Sequence, residues 1–323
     1  MPPNKSNTIL VTGCAGFIGS NLVDRLLSGN NKVIGIDNLS TGKINFLNNA
    51  LKNKNFVFHQ IDLLETSKII SFFEGVDLVF HLSANADVKD GPLYPDKDIK
   101  QNTLVTFNVL ESMRKNNVKK IIFSSTGSVY GEAKVFPTPE DTAFPVQTSL
   151  YGASKLACEG LISAFSESFG INSVIFRFVS ILGERYTHGH VFDFYKQLKN
   201  NPNALFVLGD GHQKKSYLNI SDCIEALAIF SNKDFIGTNI FNLGQDEYCE
   251  VNDSIRWICE FLNVNPKLSY SGGRQGWIGD NPFILLDTKK IKKLGWEPKK
   301  TIKESIFNTV KYLKNNEWVF DEK

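Results

Sequence analysis

Ile9-Leu-Val-Thr-Gly13-Cys-Ala-Gly16-Phe-Ile-Gly19-Ser20 decides how the chain begins to fold. A short apolar run leads into three glycines, and an amphipathic stretch follows them. Glycine is needed where a turn is tight, where backbone approaches a pyrophosphate, and where a helix packs closely on a strand. A helix starting here would direct its free N–H groups at phosphates. The stretch predicts a strand, a phosphate-binding loop and a helix. The spacing is GxxGxxG, one residue longer at its first step than the commoner GxGxxG fingerprint. An ordinary glycine-rich turn is the alternative, because glycine is common in turns.

The pattern around this loop alternates between apolar runs and amphipathic stretches. Predicted strands cover residues 8–12, 32–37, 56–60, 78–82, 120–124 and 173–178, and predicted helices cover 20–27, 66–73, 99–116 and 154–169. The strand runs are almost continuously apolar, which is typical of parallel strands covered on both faces. This alternation predicts an α/β fold with a doubly wound parallel (Rossmann) sheet. We expect residues 1–178 to form that domain, with residues of about 212–243 returning to it. Residues 179–211 and 244–323 are expected to form a smaller, mostly helical domain.

Acidic residues follow the second and third predicted strands. Asp37 ends the second apolar run, where a carboxylate can accept both ribose hydroxyls of a dinucleotide and would repel a 2′-phosphate. No arginine follows Asp37 directly, so the sequence favours NAD over NADP. Asp62 and Leu63, after the third strand, are expected to flank the adenine, with an ordinary surface aspartate as the alternative at position 62.

Composition excludes several classes of protein. The 323 residues include 36 basic and 34 acidic side chains, a net charge of +2 that gives no general attraction to nucleic acid or anionic membrane. Five scattered cysteines without a CxxC pair argue against a disulfide framework or a zinc site, and no metal site is expected. We expect no signal segment and no membrane span, and therefore a cytoplasmic protein.

A tyrosine and a lysine lie one helical turn apart at the start of the helix predicted near residue 154. Tyr151 and Lys155 form a YxxxK spacing, so both side chains share one helix face. A nearby ammonium and a positive nicotinamide ring would lower the tyrosine pKa towards working pH. The strand ending at Ser124-Ser125-Thr126 opens into the same edge of the sheet, and any of these three hydroxyls could bind the reacting substrate oxygen.

These features resemble, in this order, the extended short-chain dehydrogenase/reductases, and within them the NAD-dependent nucleotide-sugar epimerase/dehydratase branch that includes the UDP-glucose 4-epimerases. Further matches lie at Asn102 and in the segments 125–131, 209–215 and 292–298. The resemblance assigns Thr126 as the hydroxyl partner, Tyr151 as the acid/base, and Lys155 as the group that lowers the tyrosine pKa and holds the nicotinamide ribose. Tyr130 is not the catalytic tyrosine in this assignment. The smaller domain is expected to bind the nucleotide sugar.

The residues and the resemblance together give a full set of predicted contacts. The cofactor-binding set is Gly13, Gly16, Phe17, Ile18, Gly19, Asp37, Asn38, Asp62, Leu63, Leu82, Ala84, Asn102, Tyr151 and Lys155. The substrate-binding set is Thr126, Ser180, Lys215, Tyr217, Arg274 and Asp280. By the same resemblance the helices that carry Asn102 and Tyr151 are expected to pair in a homodimer.

The residues after Thr126 narrow the expected reaction. Sugar 4,6-dehydratases of this family carry an aspartate and a glutamate there, whereas this chain has Gly127 and Ser128. The decarboxylases that form UDP-xylose carry a glutamate at the Ser128 position, and the cysteine–histidine pair of the GDP-fucose-forming reductases is absent from the sequence. The resemblance therefore favours a 4-epimerase that acts on a UDP-hexose through a transient 4-keto sugar. A related dehydrogenase or reductase that consumes NAD(H), and a non-catalytic NAD-sensing protein, are the alternatives.

Several positions depart from the family pattern on the nucleotide side of the substrate. Ser180 stands where an asparagine is frequent, and Lys215 replaces an arginine, losing the planar bidentate fork. The later phosphate-clamping pair is stretched to Arg274 and Asp280. Ile284 stands where a bulky tyrosine can occur, which predicts a roomier sugar pocket.

Overall fold

The computed structural model describes residues 6–85, 91–143, 145–274, 276 and 283–321. Its strands are β1 (Thr8–Thr12), β2 (Lys32–Asp37), β3 (Phe56–Gln60), β4 (Leu78–His81), β5 (Lys120–Thr126), β6 (Asn172–Phe178), β7 (Ser180–Leu182), β8 (Ala204–Val207), β9 (Lys214–Lys215), β10 (Tyr217–Asn219), β11 (Thr238–Leu243), β12 (Cys249–Glu250), β13 (Lys267–Tyr270) and β14 (Phe283–Ile284). Its helices are α1 (Phe17–Ser28), α2 (Thr66–Ile69), α3 (Pro95–Asp98), α4 (Val105–Lys115), α5 (Leu150–Phe169), α6 (His190–Asn200), α7 (Ile220–Ser231), α8 (Val251–Leu262), α9 (Lys289–Lys292) and α10 (Ile302–Asn315). A π-helical segment, Ile99–Leu104, joins α3 to α4, and short 3-10 helices cover Ile44–Leu47, Ala50–Lys52, Ile70–Phe73, Gly127–Tyr130 and Glu317–Phe320.

The central sheet has seven strands in the order β11-β6-β5-β4-β1-β2-β3. The pairs β3–β2, β2–β1, β1–β4 and β4–β5 are parallel. The chain winds outward from β1 to β3 and then returns to β4 on the other side of β1, so the strand order reverses between β1 and β4. The predicted α/β fold with a doubly wound parallel sheet is confirmed. Ligands bind outside the carboxyl ends of the strands at such a reversal point.

The register of the sheet brings the predicted site segments to one edge. Thr12 of β1 lies opposite Ile36 of β2 and His81 of β4, and His81 lies opposite Phe123 of β5. The residues that follow these four therefore leave the sheet at the same level. The glycine loop, Asp37, Leu82 and the Ser124–Thr126 strand end consequently share this edge.

The core of this sheet region is apolar on both faces. Leu10, Val79 and Phe123 come from the strands, and Val109 and Ile162 come from the helices packed on them, all at most 1% exposed. Burying a side chain of this size stabilises the fold by about 1.5–3 kcal/mol. This double coverage explains why the strand runs lack a polar alternation.

The chain forms two compact units. The first comprises Met1–Val129, Ser149–Arg177 and Ile224–Phe241, and the second comprises Tyr130–Thr148, Phe178–Cys223 and Asn242–Lys323. Relative to the boundaries predicted from the sequence, the segments 130–148 and 212–223 group with the second unit. No helix in the described ranges is both long and apolar enough to cross a bilayer.

The second unit combines helices with short strand pairs. Helices α8 and α10 pack together, and both begin with a capping box. Trp296 is 1% exposed, and its indole N–H donates to the carbonyl oxygen of Asp222 at 3.0 Å. The Asp222 carboxylate accepts the backbone N–H groups of Lys299 and Lys300. The sequence segment 292–298 is therefore a structural anchor of this unit.

Candidate active site

The glycine loop has the close backbone contacts that its residues predict. Gly13 has a φ of +68°, and a Cβ there would lie 2.8 Å from the backbone nitrogen of Ser83. A Cβ on Gly19 would lie 2.0 Å from the carbonyl oxygen of Gly13. Gly16 occupies the N-cap of α1, which begins with Phe17 and Ile18. The loop is thus a side-chain-free cradle at the positive end of a helix, and it fits a dinucleotide pyrophosphate.

The Asp37 carboxylate lies beside this loop at the end of β2. It accepts the backbone N–H of Ala15 at 2.9 Å and that of Leu39 at 2.8 Å. Burial raises the pKa of Asp37, and these two hydrogen bonds lower it. A carboxylate offers about four lone-pair sites, so acceptor capacity remains for ribose hydroxyls. A Cβ on Gly42 would lie 2.9 Å from a carboxylate oxygen of Asp37, so this glycine, which sequence reasoning missed, keeps the space beside the carboxylate open.

Asn38 and Asp62 link the ends of β2 and β3. The Asn38 amide donates to Asp62 at 3.0 Å, and the other Asp62 oxygen accepts the backbone N–H of Leu64 at 2.9 Å. The side chain of Leu63 is 4% exposed within the apolar core, and its carbonyl oxygen accepts the Asn108 amide. The structure therefore places Asn38 and Asp62 together at the sheet edge and turns Leu63 inward.

Asn102 holds the strand-end segment that contains Leu82 and Ala84 against α5. It is 1% exposed, accepts the backbone N–H of Asn85 at 2.8 Å, and donates to the Ser154 hydroxyl at 2.8 Å. Its side-chain partners are thus protein groups, which makes it a link between segments of the site. Leu82 and Ala84 are partly exposed beside it.

Thr126 and Tyr151 meet in the first unit. Tyr151 is the second residue of α5, whose start is fixed because Ser149 accepts the backbone N–H of Gly152 at 3.0 Å. Burial raises the pKa of Tyr151, and a hydrogen bond with the Thr126 hydroxyl lowers it. The Thr126 hydroxyl oxygen also accepts the backbone N–H of Ser128 at 3.1 Å.

The two competing hydroxyls face elsewhere. Ser124 donates to the carbonyl oxygen of His81 at 3.3 Å, and Ser125 donates to the buried carboxylate of Glu159. Glu159 is itself paired with Arg177 at 2.7 Å. Among the three hydroxyls left open by the sequence, Thr126 is therefore the one placed against Tyr151. The tyrosine that the resemblance set aside, Tyr130, is 4% exposed and donates its hydroxyl hydrogen to Asn242 at 2.7 Å.

Lys155 lies one turn after Tyr151, but its ammonium is held by the strand. Its Nζ donates to the Ser124 carbonyl oxygen at 2.8 Å and lies 4.6 Å from the centroid of the Phe123 ring. Burial lowers the pKa of Lys155 to about 8, while neighbouring acidic groups raise it. Burial raises the pKa of Tyr151, the Thr126 hydrogen bond lowers it, and Asp98 and Cys158 raise it. The lowering of this pKa by Lys155 stays a prediction.

Four of the predicted substrate residues lie in the described part of the second unit. Tyr217 of β10 lies opposite Ser180 of β7, and Lys215 of β9 lies opposite Ile284 of β14. Arg274 lies on the surface, 3.4 Å from Glu132. Asp280 lies outside the described residues.

His190 is a further member of this group that sequence reasoning missed. Its ring stacks on Tyr217 at a centroid distance of 5.0 Å, with Nδ1 3.2 Å from the phenol oxygen. Burial and then the Lys215 charge lower its pKa to about 3. A neutral imidazole beside the predicted phosphate-binding lysine had no sequence signal, since Lys215 and His190 are far apart in the chain.

Comparison with known proteins agrees with this geometry. Residues 9–244 match the model of the NAD dependent epimerase/dehydratase family. The chain is similar to the UDP-glucose 4-epimerase of Thermotoga maritima solved with UDP-glucose, at 33% identity and a TM-score of 0.86, covering 96% of this chain and 99% of that one. It is similar to the Thermus thermophilus UDP-glucose 4-epimerase in complex with NAD, at 31% identity and a TM-score of 0.85, covering 95% and 99%.

A third solved structure extends the range of sugars among the relatives. The UDP-N-acetylglucosamine 4-epimerase of Methanobrevibacter ruminantium M1, in complex with UDP-N-acetylmuramic acid, is 28% identical with a TM-score of 0.88, covering 97% of this chain and 99% of that one. The glycine cradle and Asp37 fit NAD, which is the cofactor of this chain. On the family match and the site geometry together, the chain belongs to the NAD-dependent epimerase/dehydratase family.

Proposed function

We propose that this chain is a nucleotide-sugar 4-epimerase that acts on a UDP-hexose, in the glucose/galactose or the N-acetyl form. The observation that carries the proposal is the hydrogen-bonded pair of Thr126 and Tyr151, with Gly127 and Ser128 following the threonine. Two acids at those positions would be needed for a dehydration, whereas an epimerisation needs one group that takes and returns a proton. The solved 4-epimerases described above support both UDP-glucose and UDP-N-acetylglucosamine as candidate substrates.

The glycine cradle, α1 and Asp37 hold the cofactor in this mechanism. Bound NAD supplies a reversible hydride acceptor for carbon 4 of the sugar. Asp37 would bind the adenosine ribose, and Lys155, anchored on the Ser124 carbonyl oxygen, would hold the nicotinamide ribose. The positions of these residues at one edge of the sheet support these roles.

Tyr151 carries the proton. Its Oη takes the proton of the sugar 4-hydroxyl and later returns it to the oxygen of the 4-keto sugar after the other face has been presented. The Thr126 hydroxyl orients that oxygen and favours the phenolate by hydrogen bonding. Because burial, and then the charges of Asp98 and Cys158, raise the pKa of Tyr151, the phenolate would need positive charge nearby, which Lys155 and the oxidised cofactor would supply.

The second unit supplies affinity for the nucleotide diphosphate. Both epimers must bind, so the binding energy rests on the part of the substrate that does not turn. We assign this role to Lys215, Arg274, Tyr217 and Ser180, with Asp280 in the segment outside the described residues. Ile284 lies opposite Lys215 in the sheet register. Its side chain is smaller than the tyrosine that can occur at this position, and for this reason we include N-acetylated sugars among the substrates.

The experiment tests cofactor and product together. Cofactor is released from the purified protein by denaturation and identified, and the native protein is incubated with UDP-glucose, UDP-N-acetylglucosamine and UDP-glucuronate. We expect bound NAD and a 4-epimer without net NADH. The variant Tyr151→Phe should retain NAD and lose about 10²–10⁴ in rate. Stoichiometric NADH formation would instead identify a dehydrogenase, and full activity of Tyr151→Phe would remove the tyrosine from the mechanism.

We further propose a homodimer that pairs through the helices bearing Asn102 and Tyr151. Large apolar side chains are exposed on these helices: Leu104 at 46%, Phe107 at 43% and Phe169 at 41%. Exposed apolar patches of this kind mark interfaces. Light scattering should give twice the chain mass, and Phe107→Glu should give the monomer; a monomeric wild-type protein would reject the pairing.

A further inference from the structure

His81 is buried between two threonines at the end of β4. It is 0% exposed, its Nδ1 lies 2.8 Å from the Thr12 hydroxyl oxygen, and its Nε2 lies 2.9 Å from the Thr106 hydroxyl oxygen. Phe123 packs beside the ring at a centroid distance of 5.5 Å. The imidazole therefore joins the last residue of β1, just before the glycine loop, to helix α4.

The hydrogen bonds that link Thr12, His81 and Thr106 can each be given a donor and an acceptor. The Thr12 hydroxyl oxygen accepts the backbone N–H groups of Leu82 at 3.1 Å and Ser83 at 3.2 Å. With its oxygen used as an acceptor twice, the Thr12 hydroxyl has its hydrogen left to donate, and it donates to Nδ1 of His81. The proton of a neutral imidazole then lies on Nε2.

The far side of the ring agrees with this assignment. Nε2–H donates to the Thr106 hydroxyl oxygen, and the Thr106 hydroxyl donates onward to the Cys158 sulfur at 3.2 Å. Burial, and then the charge of Lys155, lower the pKa of His81 to about 3, so the ring stays neutral. A protonated ring would set an N–H against the hydroxyl hydrogen of Thr12.

The two segments tied by Thr12 are in close contact at the reversal point. A Cβ on Gly13 would lie 2.8 Å from the Ser83 nitrogen, so the glycine loop and the Leu82–Ser83 segment are in backbone contact. If the Thr12 hydroxyl hydrogen turned away from Nδ1, the oxygen lone pairs would turn away from the two amides, weaken both hydrogen bonds and loosen this spacing. NAD must fit the loop at that spacing.

We propose that His81 is a positioning residue for NAD: by accepting the Thr12 hydroxyl at Nδ1 it fixes the spacing between the glycine loop and the Leu82–Ser83 segment. This role requires that the chain binds NAD, and it does not depend on which sugar is the substrate. His81 touches neither segment's backbone through its ring nitrogens; it acts through Thr12.

A matched pair of variants separates the two ring nitrogens. The amide of asparagine reaches about as far as Nδ1, so His81→Asn keeps an acceptor for Thr12 and loses the bond to Thr106. The amide of glutamine reaches about as far as Nε2, so His81→Gln keeps the bond to Thr106 and loses the acceptor. NAD is removed from each protein, and its dissociation constant and the melting temperature are measured.

We expect His81→Asn to bind NAD within about threefold of the wild type and His81→Gln to bind about tenfold more weakly, at similar melting temperatures. Thr12→Val should resemble His81→Gln, and Thr12→Ser should resemble the wild type, which keeps the test valid if either His81 variant fails to fold. Equal NAD affinities for the two His81 variants at similarly lowered melting temperatures would overturn the proposal and leave His81 a purely structural residue.

The imidazole tautomer gives a readout that does not need the cofactor. In protein labelled with ¹⁵N-histidine, His81 should show the Nε2-protonated form and should not titrate between about pH 5 and 8. An Nδ1-protonated ring would overturn the proposal even if NAD binds. A wild-type protein that shows the expected tautomer but binds no NAD would instead refute the cofactor assignment.

Discussion

The Lys155 ammonium donates to the main-chain carbonyl oxygen of Ser124 at 2.8 Å, two residues before Thr126. This bond ties the first turns of α5 to the end of β5, and it crosses 31 positions of sequence. Tyr151, one turn before Lys155, is thereby brought to the Thr126 hydroxyl. The lysine therefore assembles the acid/base pair in addition to carrying charge, and the neutral form of Lys155 would weaken both roles above a pH of about 8.

Thr126 and its neighbour Ser125 should behave oppositely on substitution. Thr126→Val removes the hydroxyl that meets Tyr151, so kcat should fall about 10- to 100-fold. It also removes the acceptor of the Ser128 N–H, but Ser128 is partly exposed, so the loss of stability should be smaller than for Ser125→Ala. Ser125→Ala removes a donor to the buried Glu159 carboxylate, so the free energy of unfolding should fall by about 1–3 kcal/mol while kcat is retained. Epimerisation assays and urea unfolding of both variants test this. A fall in kcat for Ser125→Ala, with kcat unchanged in Thr126→Val, would identify Ser125 as the residue that supplies the catalytic hydroxyl.

Gly19 and Gly160 offer a matched pair of helical glycines. A Cβ on Gly19 would lie 2.0 Å from the backbone oxygen of Gly13, whereas a Cβ on Gly160 would meet nothing within 4 Å. Gly19→Ala should therefore displace the loop and abolish NAD retention. Gly160→Ala should retain NAD and stabilise the protein by about 0.5–1 kcal/mol, because alanine loses less backbone entropy in a helix. NAD content after purification and thermal unfolding report the two effects. Retention of NAD by Gly19→Ala would contradict the close contact.

Asp37 should set both the affinity for NAD and the discrimination against NADP. Asp37→Asn removes the negative charge and places an amide N–H towards the backbone N–H of Ala15 or Leu39. We expect NAD to bind about tenfold more weakly and the preference for NAD over NADP to shrink. Dissociation constants for both dinucleotides give the ratio.

Asp77 is a control for that substitution. Its carboxylate accepts the backbone N–H of Thr8 at the opposite end of β1, at 2.9 Å. Asp77→Asn should leave the ratio of NAD to NADP affinity unchanged. An unchanged ratio in Asp37→Asn as well would show that another group selects the cofactor.

His81 should make the fold sensitive to acid. Its pKa falls from 6.5 to about 3 on folding, so the unfolded chain takes up the proton first. The stability it contributes is complete above pH 6.5 and is lost as the pH falls towards 3, at about 1.4 kcal/mol per pH unit. Between pH 6.5 and 5, the wild type should lose about 2 kcal/mol more unfolding free energy than His81→Asn. Urea unfolding at each pH measures the difference, and equal slopes would place a charged histidine in the folded protein.

The sequence alone determined the parts of this protein that depend on short stretches of chain. The doubly wound sheet, the glycine loop, Asp37 and the spacing of Tyr151 and Lys155 follow from strand and helix periodicities and from the conformations that glycine permits. These features could be predicted because each is set by residues within one or two elements. The roles at the site then followed from a resemblance, residue by residue.

Only the tertiary structure decided which groups meet. It places Thr126, and neither Ser124 nor Ser125, against Tyr151. It also directs the Lys155 ammonium to a strand carbonyl oxygen and places Gly42 beside Asp37. It also placed His81 between Thr12 and Thr106, positions that lie 69 and 25 residues away in the chain. Strand register and helix packing bring such distant segments together, and a hydroxyl or an imidazole carries no local signal of the partner it will face. Hydrogen-bond direction and pKa depend on that partner and on burial, so both belong to the folded molecule.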